Sequence, residues 1–486
     1  MSTPGTGLVR HTTLYWIGNA LNRLGAFVLL PVYTTFLSVE EYGALELLYS
    51  TNAILAVVLG AGLSHATLRF YFEYDDVSER SSVITTNLLV TLLSGVAGAS
   101  LVLLYSEQIS VLIFGHDGYS LAIDILAVIT VLELMSEIGF AYLRAREMSV
   151  SYVVIAFCKL LVQVPVTYYM LALAQGGIVG VLEANFISVV AAWLILMGIV
   201  YRYCGVRINS RVVKPILRYS IPFAGSSVIW AIAGNADRYI LNAFVSLEAV
   251  GIYGLAMKFA SILAFFVVEP FKRSFGAYRF SVMKQDNAAE IQANITHYFF
   301  IVMSFMAFGI AIFTPEVLKL VSQPHYWSAS DIVPLLLLGM VVEGLLYCYQ
   351  TGILYSKATR HIFNISVLAF FMTIGFALVL VRMFGIWGAS WSFVLTSLIV
   401  ALLTLRISQK LYPVAYKHKK DLLVIGICCL FYFLQYYLLQ GGLLVQIIIK
   451  LVVAAALFAV LVMVDDDARY MYDTMRKYGL KKLSRA

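Results

Sequence analysis

The sequence predicts an all-α membrane protein with about fourteen transmembrane helices, and three observations support this fold class. Apolar side chains make up 61% of the 486 residues and charged side chains only 13%, roughly half the charged share of a soluble domain. The apolar residues lie in long runs such as 88–104 and 451–464, and about 20 of them span the hydrocarbon core of a bilayer. These runs are continuous, whereas the strands of a membrane β-barrel alternate over about ten residues.

Polar or charged residues separate the runs and place the predicted spans. The first ten residues are polar, and the run after them has no small-residue cleavage site, so we expect it to be retained as the first span. The predicted spans are residues 13–37, 43–68, 82–105, 119–143, 151–173, 179–201, 216–244, 250–271, 293–313, 331–356, 361–381, 387–405, 421–440 and 443–464.

The basic residues predict the orientation of these spans. With the amino terminus in the cytoplasm, 27 of the 34 lysines and arginines fall in cytoplasmic loops or in the tail, as the positive-inside rule requires. Only Lys319 and Arg382 fall in loops on the other side. We therefore expect both termini in the cytoplasm. The net charge of +7 then comes from the bias toward basic residues in the cytoplasmic loops, which face anionic lipid. We expect no binding to nucleic acid. The bases within spans are Arg23, Lys159, Arg238, Lys258 and Lys450.

Short motifs recur about 208 residues apart and indicate an internal repeat. Residues 38–43 recur as 246–251, and residues 177–180 recur as 385–388. A third pair, Tyr119 with Asp124 and Tyr326 with Asp331, is 207 residues apart. Because this offset covers an even number of spans, the two halves are parallel repeats about an axis along the membrane normal.

The repeat predicts the domain organisation. We expect a six-helix lobe at residues 11–210, a second at 211–410, an appended helix pair at 421–464 and a basic cytoplasmic tail at 465–486. A site between two such lobes can open to either side of the membrane by rocking, which points by analogy to transport.

The first span carries a polar stripe. Tyr15, Asn19, Asn22 and Arg23 fall on one helical face. Arg23 lies about ten residues into the helix, roughly 15 Å at 1.5 Å per residue, and hence near the middle of the bilayer. Its guanidinium group could grip a phosphate through two oxygens. The alternatives are a buried ion pair or packing against a neighbouring helix.

Other ionisable residues within spans are candidate site residues, because burial in a membrane is costly unless they face a cavity or a partner. Asp237 and Arg238 are adjacent, so we expect them to point in different directions, with Arg238 the better candidate for substrate contact. Glu133 and Glu137 are four residues apart and share a face. They could hold a proton or cation, or pair with Lys159.

Lys258 and Glu343 are weaker candidates for lining the cleft. We expect Lys450, on the appended pair, to pack or to extend its ammonium group toward the interface. The acidic runs 75–76 and 465–467 lie at cytoplasmic helix ends, where we expect them to be solvated.

Five scattered cysteines and seven scattered histidines form no disulfide or metal-binding pattern. There is no phosphate-binding loop, and the predicted outer loops 106–118 and 314–330 offer no catalytic set. We expect no cofactor, no metal and no enzymatic activity.

The seventh span and its surroundings carry a family resemblance. Arg218-Tyr219 with Pro222, then Asp237-Arg238, then Gly251 and Tyr253 resemble the signature of the polysaccharide transporter family. The resemblance covers most of residues 11–410. It implies a V-shaped pair of six-helix lobes, in the variant with an extra helix pair, and it makes Asp237 and Arg238 motif residues. Multidrug and toxin antiporters belong to the same superfamily.

This resemblance implies a flippase of the bacterial inner membrane. Its substrate would be a polyprenyl-pyrophosphate-linked oligosaccharide for O-antigen, capsule or exopolysaccharide assembly. We expect alternating access driven by a cation gradient, with membrane lipids and envelope glycosyltransferases or a polymerase as partners. The alternatives are a multidrug/cation antiporter, and a non-transport membrane enzyme or assembly factor of envelope glycan synthesis.

Overall fold

The computed structural model describes residues 27–60, 62–438 and 442–483, together with Gly18 and Gly25. Within these ranges the chain is helical and contains no β-strand. The chain divides into two compact units, residues 1–251 and residues 252–486. The predicted fold class is confirmed: this is an all-α, multi-pass membrane protein.

Helices follow one another closely in the described part of the first unit. They are α1 (Leu30–Phe36), α2 (Val39–Gly60), α3 (Leu63–Tyr71), α4 (Val77–Leu104), α5 (Ser106–Phe114), α6 (Ser120–Ala145), α7 (Ser149–Tyr168), α8 (Gly177–Cys204), α9 (Ser210–Ala233) and α10 (Ala236–Phe244). The core forms around α6, where Ile138 and Tyr142 are almost fully buried against Ile84 of α4 and Val200 of α8. This packing leaves another face of α6 for polar residues.

The second unit continues with longer helices. Helix α11 begins before the end of the first unit and crosses into the second. The helices are α11 (Leu247–Leu263), α12 (Glu269–Ser281), α13 (Ala288–Val321), α14 (Ala329–Tyr349), α15 (Thr351–Tyr355), α16 (Arg360–Leu411), α17 (His418–Leu438), α18 (Leu443–Val464) and α19 (Asp466–Leu483). Among the residues that the structure describes, two stretches are π-helical: Tyr169–Leu173 continues α7, and Ala264–Val268 joins α11 to α12.

Nine helical stretches in the described part of the chain are long and apolar enough to cross a membrane. One of them is the 52-residue α16, which contains the predicted spans 361–381 and 387–405 joined at Gly385. The predicted span 13–37 lies mostly outside the described residues. The count of fourteen spans therefore stays a prediction.

Some predicted boundaries were wrong. The predicted span 216–244 breaks at Gly234 and Asn235, both poor helix formers, into α9 and α10. The Asn235 side chain donates a hydrogen bond to the Ala231 carbonyl oxygen at 2.8 Å, which competes with the helical bonding pattern. The predicted loops 106–118 and 314–330 are largely helical, because polar residues within them are buried by packing, as Ser110 and Glu316 show.

Two glycines separated by 208 residues share a positive φ angle. Gly177 has a φ of 53° and Gly385 a φ of 56°, in the left-handed region that residues with a side chain rarely adopt. This agreement is what a repeated fold predicts. The division at residues 210 and 211 stays a prediction, and the compact units divide later, at Gly251.

The other repeated glycines, Gly43 and Gly251, meet at the starts of α2 and α11. A Cβ atom on Gly43 would lie 1.8 Å from the Leu247 carbonyl oxygen, and one on Gly251 would lie 2.5 Å from that of Val39. Real Cβ contacts essentially never fall below 3.0 Å. Both obstacles are backbone atoms, so a larger residue at either position would push the two helix starts apart.

Candidate functional site

A polar cavity of about 560 Å³ opens within the first unit, among α3, α6, α7 and α8. Two carboxylates, two bases and an amide line it: Glu133, Glu137, Arg144, Lys159 and Gln163. Gly25 also lines the cavity, which places part of the first predicted span beside it. Charged groups in apolar helices are costly, so their convergence on one cavity makes it the candidate functional site.

Two of the residues that line this cavity, Glu133 and Lys159, form an ion pair. Lys159 Nζ lies 3.5 Å from Glu133 Oε1, and the two side chains are 26% and 32% exposed, so both are accessible from the cavity. Asn52 Nδ2 donates to Glu133 Oε2 at 3.3 Å, and the Thr130 hydroxyl donates to Asn52 Oδ1. The network therefore connects α2, α6 and α7 through one carboxylate.

Glu137 lies one turn from Glu133 and is exposed to the same cavity. It also lines a second cavity of about 210 Å³, together with Ser64 and Ser227. The spacing of four residues thus places both carboxylates on the cavity face of α6, although their predicted role in cation coupling stays a prediction. The expected alternative, a pair between Glu133 and Lys159, is present.

Asp237 and Arg238 pair with each other, which corrects the expectation that they would point apart. Arg238 Nη1 lies 3.4 Å from Asp237 Oδ1, and each side chain is 14% exposed. The prediction treated the span as one regular helix. Instead, the pair lies in the first turn of α10, directly after the break, and the long arginine side chain folds back toward the Gly234 carbonyl oxygen at 3.5 Å.

Side-chain hydrogen bonds hold α10 in the first unit. The Tyr239 hydroxyl lies 2.8 Å from the Thr51 hydroxyl on α2. Asn242 Nδ2 donates to the Ile113 carbonyl oxygen of α5 at 2.6 Å. Ile240 and Leu241 are buried beside them. Sequence reasoning missed Tyr239 and Thr51, because neither is charged and their contact joins residues far apart in the chain.

The remaining predicted site residues are placed less completely. Tyr15, Asn19, Asn22 and Arg23 lie outside the described residues. In the second unit, Lys258 is half-buried on α11 and Glu343 is exposed on α14. Lys272 and Glu269 form an ion pair at 3.4 Å within electrostatic range of Glu343.

Lys450 forms a buried ion pair that sequence reasoning missed. Its ammonium group lies 2.5 Å from Glu316 Oε2, and the two side chains are 1% and 4% exposed. Of the two expected alternatives, packing and extension toward the interface, the burial of Lys450 agrees with packing. Glu316 was assigned to a loop, whereas α13 continues through it and turns it toward α18.

A second buried cluster surrounds His297 in α13. His297 Nδ1 lies 2.6 Å from Asp421 Oδ1, and its Nε2 lies 3.0 Å from Asp465 Oδ2. Lys417 and Lys420 contact Asp467 at 2.7 and 2.6 Å. The expectation of a solvated acidic run was wrong for Asp465, which is 3% exposed and caps α19 by accepting from backbone amides.

His297, Asp465 and Asp467 lie close enough to hold a metal ion, with ligand atoms within 4.8 Å of one another. However, the two lysine ammonium groups already neutralise Asp467. A histidine with both ring nitrogens facing carboxylates is satisfied as an imidazolium, because both nitrogens then donate. The cluster is therefore satisfied as a charge-balanced contact between α13 and the carboxyl-terminal helices.

Comparisons of the sequence place these features among known proteins. The model of a family described as polysaccharide biosynthesis protein matches residues 8–275. The succinoglycan biosynthesis transport protein ExoT of Rhizobium meliloti (strain 1021) is 25% identical over 243 residues, which cover 49% of this chain. They cover 46% of that relative, so the match spans about half of its length.

Solved structures share the fold at low identity. A lipid II flippase MurJ in an inward closed conformation is 13% identical, with a TM-score of 0.73 over 93% of this chain and 98% of its own. An inward-facing multidrug resistance MATE family transporter of the MOP superfamily is 16% identical, with a TM-score of 0.65 over 81% of this chain and 97% of its own. At such identities the likeness concerns the fold alone.

Proposed function

This chain belongs to the polysaccharide biosynthesis protein family, and we propose that it is a flippase for polyprenyl-pyrophosphate-linked oligosaccharides. The observation that carries the proposal is the polar, charge-lined cavity within apolar helices. A lipid-linked glycan needs such a path, because its sugars and diphosphate cannot cross the hydrocarbon core unaided. The relative named as a succinoglycan transport protein supports a substrate of this class.

The proposed roles separate the two ends of the substrate. Arg238 and Arg23 would hold the diphosphate, since guanidinium groups bind phosphate oxygens bidentately. The prenyl chain would stay in the lipid. Residues that would line the path beside them are Tyr15, Asn19, Asn22, Lys159, Asp237 and Lys258. Because Arg238 is paired with Asp237, a phosphate must compete with that carboxylate, which would make binding reversible.

Glu133, Glu137 and Glu343 would couple transport to a proton or cation gradient. Glu133 suits this role because its charge is balanced by Lys159 at 3.5 Å and its side chain is accessible from the cavity. A proton or cation that displaced Lys159 would free an ammonium group in the same cavity. Flipping that persisted after collapse of both proton and sodium gradients in proteoliposomes would contradict this coupling.

The remaining features of the proposal concern the whole protein. Lobes at 11–210 and 211–410 would alternate access, with the helix pair 421–464 appended. The chain would lie in the bacterial inner membrane with both termini in the cytoplasm, act without enzymatic chemistry, and serve envelope glycosyltransferases or a polymerase. The multi-pass helical fold supports a place in a membrane for this chain.

A multidrug/cation antiporter is the second candidate, favoured by two carboxylates in the cavity and by the shared fold with a multidrug transporter. It predicts efflux of small organic cations by the wild type. It also predicts that Arg238→Ala leaves activity intact, whereas a diphosphate site requires Arg238.

The deciding experiment is flipping of a labelled prenyl-diphosphate oligosaccharide in proteoliposomes. We expect Arg238→Ala and Arg23→Ala to lose most activity and Arg238→Lys to recover only part of it, because lysine cannot bind bidentately. Arg202→Ala, at the exposed end of α8, is the matched control and should match the wild type. Full flipping by both site variants would refute the cationic site, and cation efflux without flipping would select the antiporter.

A further inference from the structure

Two adjacent residues of α2 serve two separate parts of the candidate site. Thr51 contacts Tyr239 of α10, and Asn52 donates to Glu133 of α6. Adjacent positions on a helix point about 100° apart, so one short stretch of α2 reaches both neighbours at once. Arg238, the proposed diphosphate ligand, directly precedes Tyr239.

Thr51 and Tyr239 share a hydrogen bond between two hydroxyl groups 2.8 Å apart, in which either oxygen can donate. The Thr51 hydroxyl also lies 2.9 Å from the Leu47 carbonyl oxygen of its own helix, to which it can donate. Thr51 is buried, so losing the Tyr239 hydroxyl would leave this contact without a replacement from solvent.

The orientation of α10 depends on such contacts because the helix is short. It has nine residues and begins after the break at Gly234 and Asn235, so the helical hydrogen bonds of α9 do not continue into it. Arg238 lies in its first turn, next to Tyr239. A shift of α10 would therefore move the guanidinium group and its contact with Asp237.

We propose that Tyr239 is a positioning residue for Arg238, and that Thr51 and Asn52 of α2 couple Arg238 to the Glu133–Lys159 pair. This inference rests on the proposed function and deepens it, since it names the link between diphosphate binding and ion coupling. A change in the charge state of Glu133 acts on Asn52, and through the backbone of α2 on Thr51, Tyr239 and Arg238.

The first test is a double-mutant cycle on flipping, with Tyr239→Phe, Thr51→Val and both together. We expect each single variant to raise the apparent KM for the lipid-linked oligosaccharide about fivefold at unchanged maximal rate, the effect of losing one hydrogen bond. The double variant should be no worse than either single variant. Thr51→Ser keeps the hydroxyl and should behave as wild type. Additive effects of the two singles, or no effect on KM, would overturn the assignment.

The second test measures coupling to Glu133. Combining Tyr239→Phe with Glu133→Gln should give a non-additive change in apparent KM, because both changes act through α2. Asn242→Ala is the matched control, since Asn242 holds the same helix to α5 instead of α2. It should be additive with Glu133→Gln. Equal non-additivity in both combinations would show general loosening of α10 and would refute the link through α2.

A readout without substrate separates this inference from the proposed function. Phenylglyoxal modifies arginine, and peptide mass mapping reports its rate at Arg238 alone. We expect Tyr239→Phe and Thr51→Val to raise that rate about fivefold, in line with one lost hydrogen bond, with exposed Arg202 unchanged as an internal control. Absence of flipping by the wild type would refute the proposed function only. An unchanged rate at Arg238 would refute the positioning role.

Discussion

Lys450 and Glu316 form an ion pair that is almost completely removed from the surface, with Nζ 2.5 Å from Oε2. The lysine ammonium also lies 2.5 Å from the Ile312 carbonyl oxygen, one turn before Glu316. The pair connects α18 to α13. His297, at the other end of α13, connects the same helix to Asp421 and Asp465. The two contacts are nineteen residues apart, roughly 28 Å at 1.5 Å per residue, which is close to the thickness of the hydrocarbon core.

Removing one partner of the buried pair should be far more damaging than removing both. We expect Lys450→Met to lower the free energy of unfolding by about 3–5 kcal/mol, because Glu316 would remain buried without a counter-charge. The double variant Lys450→Met with Glu316→Leu should regain most of that loss. Thermal unfolding in detergent measures both. A double variant as unstable as the single one would mean that packing, and not charge, is responsible.

The His297 cluster should hold the carboxyl-terminal helices in place. His297→Ala removes two hydrogen bonds to charged groups, each worth about 1.5–3 kcal/mol, and leaves two carboxylates facing each other. We expect faster proteolysis within residues 418–483, detected by mass spectrometry. His418→Ala is the control, because His418 is 48% exposed and lies 4.0 Å from Asp421. Equal cleavage in both variants would argue against the contact.

The tail helix α19 should detach only in acid. Partial burial raises the pKa of Asp467, but hydrogen bonds from Lys417 and Lys420 outweigh it and hold the pKa below its ordinary value. A lowered folded pKa means that the stabilisation is complete above the unfolded pKa of about 3.9, and is lost as the pH falls through the folded value. Proteolysis of the tail should therefore rise only below about pH 4.

Asp467→Asn tests this pH dependence directly. The asparagine cannot titrate, so cleavage of the tail should become faster at neutral pH. The cleavage rate should then change little as the pH falls below about 4. At the alkaline end, the hydrogen bond to Asp467 raises the pKa of Lys420, which preserves the contact to high pH. Loss of the tail between pH 5 and 8 in the wild type would contradict this account.

The backbone contact at Gly43 should tolerate no side chain. A Cβ atom there would lie 1.8 Å from the Leu247 carbonyl oxygen, so we expect Gly43→Ala to reduce the yield of folded protein sharply. A Cβ atom added to Gly309 in α13 would have no neighbour within 4 Å, so Gly309→Ala should be neutral or slightly stabilising. Size-exclusion chromatography in detergent compares the two. Equal yields would show that α2 and α11 can separate at no cost.

The sequence predicted the membrane spans well where apolar runs are long. The predicted span 443–464 coincides with α18, and 179–201 lies within α8. The prediction of helix boundaries from the sequence failed where the contacts of one polar residue decide the structure. The break before α10 depends on how Asn235 bonds to Ala231, and the helical course of α13 past residue 313 depends on burial of Glu316 against another helix. Such contacts join distant parts of the chain, so local composition does not show them.

The candidate site was predicted in the same uneven way. Helical periodicity correctly placed Glu133 and Glu137 on one face, and that face lines the cavity with Lys159. Thr51 and Asn52 were missed, since their polar side chains resemble ordinary helix residues until α6 and α10 are packed against α2. Asp237 and Arg238 were found as charged residues within a predicted span and again in a family motif, whereas their mutual pairing required the geometry of a helix start.

The π-helical stretch Ala264–Val268 sets the orientation of α12 relative to α11 through the number of residues between them. A π turn accommodates one residue more than the α turn that it replaces. One inserted codon is therefore enough to create it, and one deleted codon would remove it, while the helices on both sides remain regular. Such a deletion would rotate residues 269–281 by about 100° relative to α11. The direction in which Glu269 and Lys272 face thus depends on the number of residues in this five-residue segment.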